Sequence, residues 1–146
     1  MSRTVISRMI KAPIDVVFRT VADISQFSQA IPHIVKVEYL SDIKVGVGTR
    51  FRETRLMKGK ETPTELKVTE YIENDRARLV ADSHGTVWDT LFVVAGDGDQ
   101  TKLTITMDAI SRNLLTKVVV FMISGMVRKA IERDMDSVKA YCEKRP

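Results

Sequence analysis

The stretch LLTKVVVFMISGMVRKAIERDMDSVKAYCEK, from Leu114 to Lys144, decides the fold. Its spacing predicts one long closing helix. One stripe runs Val120, Ile123, Val127, Ile131 and Val138, with Ala130 and Tyr141 beside it, enough for an amphipathic helix docked on a sheet. A second stripe runs Leu115, Val118, Met122 and Met126, then continues into Lys129 and Arg133. The first half is therefore apolar nearly all round and the second half one-sided. Either the first half is buried on both sides, or its extra stripe meets a ligand, a partner subunit or a membrane surface. Ordinary core packing weighs as much as those readings together. Met122 and Met126 suit an adaptable contact, because methionine is flexible and polarizable. Gly125 lies where the character changes and permits a bend.

Upstream of the helix the pattern is that of strands. Thr4 to Ile10 is rich in β-branched residues and predicts a strand. Lys11-Ala12-Pro13 stops it, since proline cannot donate to a ladder and suits a first helical turn. Ile14 to Ala22 predicts a helix with Val17, Phe18 and Val21 on its buried face. Asp23 to Ala30 predicts a second short helix, ended by Ile31-Pro32. Strands follow at about Ile34 to Leu40, Thr49 to Met57, Glu61 to Ile72, Arg76 to His84, Thr86 to Val94 and Lys102 to Ala109. Their connections, Lys58-Gly59-Lys60, Glu73-Asn74-Asp75, His84-Gly85 and Gly96-Asp97-Gly98-Asp99, carry turn chemistry and are short, which argues for antiparallel neighbours.

The totals narrow the class. A chain of 146 residues, 44% apolar and 29% charged with net charge +4, is expected to form a single soluble domain over residues 1–146. A single cysteine, Cys142, excludes an internal disulfide and multi-cysteine zinc patterns. No signal peptide is legible after Met1, so a cytoplasmic, reduced setting is expected. The apolar run Leu114 to Val127 is too short to span a bilayer.

Strand alternation nominates the inward side chains. Leu66 and Val68 share a face, as do Trp88, Thr90, Phe92 and Val94, and Leu103, Ile105, Met107 and Ala109. The face carrying Phe51 also carries Glu53, Arg55 and Met57. Buried charges need partners, so the reading preferred here is that Phe51 marks a rim and these charges are solvated.

Several motifs resemble the START-like (SRPBCC) superfamily, which includes polyketide cyclase/dehydrase-like and pollen-allergen-like proteins. They are Ala12-Pro13 followed by Val17-Phe18, Val21-Ala22-Asp23, Phe27 then Ile31-Pro32, and Gly46-Val47-Gly48-Thr49-Arg50-Phe51. Downstream come Arg52-Glu53, Gly59-Lys60-Glu61, Val68-Thr69-Glu70, Gly98-Asp99-Gln100-Thr101 and Lys139-Ala140-Tyr141. The resemblance implies an α+β helix-grip fold: a seven-stranded antiparallel sheet wrapped around the C-terminal helix, with an apolar pocket between them. Members bind lipids, sterols, quinones or hormones, and a minority catalyse polyketide cyclisation or dehydration.

The expected function is binding or transport of a small hydrophobic molecule, such as a lipid, quinone or polyketide-like compound. Phe51, Trp88, Thr90, Phe92, Leu103, Ile105, Met107, Met122 and Met126 are the expected wall, with Glu53 and Arg55 as polar anchors. The alternative is a cyclase or dehydratase using His84, Glu53 or Arg55 in proton transfer. A histidine beside a turn glycine is more often solvated than catalytic, and neither His33 nor His84 has metal-ligand spacing. No cofactor or metal is expected. A third reading is an interaction protein using Leu115, Val118, Met122 and Met126 in a homodimer or a peripheral membrane contact. Arg50, Arg52, Arg55, Lys58 and Lys60 crowd one hairpin, but no aromatic platform accompanies them. Nucleic acid is therefore not expected, and a solvated basic edge is the economical account.

Overall fold

In the computed structural model, which describes residues 2–144, the chain runs β1 (Ser2–Ile10), α1 (Ile14–Ala22), α2 (Ile24–Ala30), β2 (Ile34–Tyr39), β3 (Arg50–Met57), β4 (Lys60–Ile72), β5 (Arg76–Ser83), β6 (Thr86–Asp97), β7 (Gln100–Ser111) and α3 (Leu114–Lys144). The seven strands form one antiparallel sheet in the order β1-β7-β6-β5-β4-β3-β2. With two short helices after β1 and the long closing helix, this is the helix-grip arrangement. β1 and β2 are the edges, so the β3–β4 hairpin is not the basic edge expected from its sequence. Its charges are divided instead: Arg52 pairs with Glu65 at 2.6 Å, while Arg55 turns inward.

Turn chemistry sets the strand lengths. Met57 pairs with Lys60 and Ser83 with Thr86, which leaves two-residue turns. Both residues of each turn have positive φ, Lys58 and Gly59 at 53° and 76°, His84 and Gly85 at 50° and 82°. That backbone matches the twist of a tight hairpin, and glycine adopts it without a Cβ penalty. His84 is thereby drawn out of β5. β6 and β7 run further than expected, because the loop predicted at Gly96 to Asp99 tightens until Asp97 pairs with Gln100.

The helices follow from their caps. Pro13 sits extended just before α1, whose Val17, Phe18 and Val21 are buried. Asp23 ends α1 and starts α2, its carboxylate accepting from the Ser25 N–H at 3.0 Å. Asn113 does the same for α3, accepting from the Thr116 N–H at 2.9 Å. The core gathers Ile10, Leu103 and Phe18 around Met135 and Val138, which are 1% and 0% exposed. Complete burial of such a side chain contributes about 1.5–3 kcal/mol.

Among the described residues, polar links to β1 pin only the second half of α3. Arg8 Nε donates to Asp136 Oδ1 at 2.7 Å, and Lys139 Nζ donates to the Met9 carbonyl at 2.6 Å. The Lys11 N–H donates to Glu143 Oε2 at 2.9 Å and is the leading cause that holds that carboxyl below its ordinary pKa. The first half is different. Leu115, Met122 and Met126 are 74%, 76% and 58% exposed, so the second stripe is neither core nor cavity wall.

Candidate functional site

Between the sheet and α3 lies a cavity of about 100 Å³. Its floor comes from the helix pair, through Val21, Ala22, Ile24 and Phe27. Its walls are inward residues of the sheet: Phe51, Leu66, Leu79, Phe92, Ile105 and Met107. Ile131, Asp134, Met135 and Val138 of α3 close the remaining side. A wider space of about 290 Å³ continues outward past Thr64, Ala81, Ser83, Trp88, Val127 and Ala130. The two spaces share Glu53, Arg55, Leu66, Thr90, Met107, Ile131 and Asp134, so they form one chamber with an inner end and a mouth.

A polar group interrupts this apolar lining. Arg55 Nε donates to Glu53 Oε2 at 2.7 Å, and Arg55 Nη1 donates to Asp134 Oδ2 at 2.9 Å. Glu53 is 7% exposed, and Arg55 keeps 25% of its side-chain surface. Burial works against the Arg55 charge, but Glu53 and then Asp134 outweigh it and hold the guanidinium above its ordinary pKa. The solvated rim preferred from sequence is therefore replaced by an inward, partnered triad. Phe51 is 1% exposed and belongs to the wall, whereas Met57 lies beyond it at 50%.

The triad leaves donors for a guest. Arg55 Nη2 and the Thr90 hydroxyl make no hydrogen bond among the described residues, and both side chains line the chamber. Thr90 is 7% exposed. The group carries two carboxylates to one guanidinium, so its formal charge is negative. It can offer hydrogen bonds to a neutral oxygen and attraction to a cation, while a third carboxylate would be repelled.

Of the residues nominated from sequence, Phe51, Glu53, Arg55, Thr90, Phe92, Ile105 and Met107 meet around the inner chamber, and Trp88 lines the mouth. Leu103 is inward but sealed in the core at 0% exposure. Met122 and Met126 face solvent. His84 is exposed at its turn and lines neither space of the chamber. Asp108 lies on the opposite face of the sheet, paired with Arg3 at 2.7 Å. Asp134 was missed. Its spacing from Ile131 and Val138 on the buried stripe was the available signal. Among the described residues no group of histidine, cysteine and carboxylate side chains could hold a metal ion.

Solved structures share this architecture. The chain superposes on the Zhui aromatase/cyclase of Streptomyces sp. R1128 with a TM-score of 0.81 at 17% identity, covering 99% of this chain and 94% of that one. A START superfamily protein of Mycobacterium smegmatis gives 0.71 at 17% identity, with 98% and 95% covered. A protein of Thermus thermophilus, TTHA0849, gives 0.72 at 17% identity, with 98% and 95% covered. At such identities the likeness shows the fold alone. No curated protein matches the chain in sequence. Family membership rests on the sequence model described as polyketide cyclase / dehydrase and lipid transport, which matches residues 1–143: the chain belongs to that family.

Proposed function

We propose that this protein binds and carries a small hydrophobic molecule bearing one neutral or cationic polar group. The observation that carries this reading is the chamber itself, an apolar enclosure with a single polar cluster at Glu53, Arg55 and Asp134. Transfer of an apolar guest into such walls gains about 25 cal/mol for each Å² removed from water. The unengaged Arg55 Nη2 and Thr90 hydroxyl orient its oxygen. Free fatty carboxylates are poor guests, because they add a third negative charge.

The test is native mass spectrometry of gently purified protein, repeated on Met107→Trp, followed by denaturation and identification of released molecules. Wild type should carry a small molecule that the variant lacks while keeping its melting temperature. Equal loading of both would overturn the assignment of the chamber.

A second reading is catalysis of cyclisation or dehydration. It is supported by the Glu53–Arg55 pair, in which a guanidinium can polarise a carbonyl beside a carboxylate that can take a proton. His84 is not among the residues that line the chamber. Turnover of a polyketide chain that survives both Glu53→Gln and Arg55→Met would exclude that mechanism.

A further inference from the structure

Exposed apolar side chains of two separate elements, the β3–β4 hairpin and the opening turns of α3, lie towards one end of the sheet. In an antiparallel sheet alternate turns fall at the same end. The β3–β4 turn at Lys58-Gly59, the β5–β6 turn at His84-Gly85 and the passage from β7 into α3 therefore share one end. Thr64 and Ser83, towards that end of β4 and β5, lie at the mouth of the chamber.

The exposure there is unusual for a surface kept in water. Leu115, Phe121 and Met122 on α3 are 74%, 79% and 76% exposed. Leu56 and Met57 beside the hairpin turn are 43% and 50% exposed. Single exposed apolar residues need no explanation, whereas a group of them marks a contact surface. The charge around them is mostly positive. From Ala109 to Ile131 the chain carries Arg112, Lys117, Arg128 and Lys129 and no Asp or Glu; Arg112 is paired with Asp82 and Arg128 with Glu132, which leaves the two lysines. Lys58, Lys60 and Lys117 form no ion pair among the described residues, and Glu61 is the single acid at the hairpin tip.

We propose that this end of the molecule docks on an anionic lipid bilayer, with Phe121, Met122, Leu115 and Met57 in the interface and Lys58, Lys60 and Lys117 among the headgroups. Charge selects the bilayer over a second copy of the chain. A two-fold contact would bring the same lysines together with few acids to receive them, whereas anionic headgroups complement them. Among the described residues no helix is long and apolar enough to cross a membrane, so the contact is interfacial. Docking would hold the chamber mouth at the lipid surface, but it does not depend on what the chamber binds.

The experiment is sedimentation of the full chain with phosphatidylcholine vesicles, with and without phosphatidylglycerol. The protein should pellet with the anionic vesicles, and less so as salt rises. Phe121→Ala should weaken binding about tenfold. Lys117→Ala should weaken it about fivefold. Both variants should keep the wild-type melting temperature. Arg50→Ala, at the opposite end of β3, should bind as wild type; an equal loss there would reduce the effect to net charge and overturn the proposal. Protein that stays in the supernatant with both vesicles overturns it too. So does a dimer in analytical ultracentrifugation that Phe121→Ala disperses, which would give the patch to a second copy.

Discussion

Arg55 is where the chamber is most exposed to a single substitution. Its guanidinium satisfies two carboxylates from different elements, Glu53 on β3 and Asp134 on α3. Removing it leaves two anions facing each other with little water, whereas removing all three charges leaves an apolar lining. Arg55→Met is therefore expected to lower unfolding free energy by about 3–5 kcal/mol, with the triple change Glu53→Gln, Arg55→Met, Asp134→Asn recovering most of it. Urea denaturation of both variants checks this. A triple variant no more stable than Arg55→Met would show that the charges are not coupled. The pair Glu53 and Arg55 was legible from strand alternation, because residues two apart share a face. Their inward direction was not. It follows from the long-range contact with Asp134, 79 residues away, which alternation along one strand does not report.

Elements were more legible than side-chain directions. Pro13, Asp23 and the glycines of the turns mark boundaries through backbone chemistry that is local in sequence, so the element order was readable end to end. The errors fall where tertiary pairing overrides local signals. Pairing of Asp97 with Gln100 extends β6 and β7 through a stretch that reads as loop. The second apolar stripe at the start of α3 could be read as core or as a contact surface, and among the described residues Leu115, Met122 and Met126 are left uncovered. One junction ties these elements together. A Cβ built on Gly85 would lie 3.0 Å from Thr116 Cγ2, and its φ of 82° already disfavours any side chain. Gly85→Ala should therefore cost about 1–3 kcal/mol and loosen the first turn of α3 against the β5–β6 turn. Thermal unfolding measures the loss, and an unchanged melting temperature would refute it.

At the scale of the whole molecule, burial along α3 is graded. Val120 is 7% exposed, Ile131 5%, Met135 1% and Val138 0%, and the polar links to β1 all lie beyond Arg133. Stability should be graded in the same direction, because local opening costs least where few apolar contacts and few cross-links are lost. Amide exchange is expected to be fastest in the turns from Leu115 to Met126 and slowest from Ile131 to Cys142. Uniform protection along the helix would contradict this. The far end of the helix, which carries every α3 residue of the inner chamber, can stay clamped while its opening turns fray, so that the chamber keeps its helical wall even when the start of the helix is open.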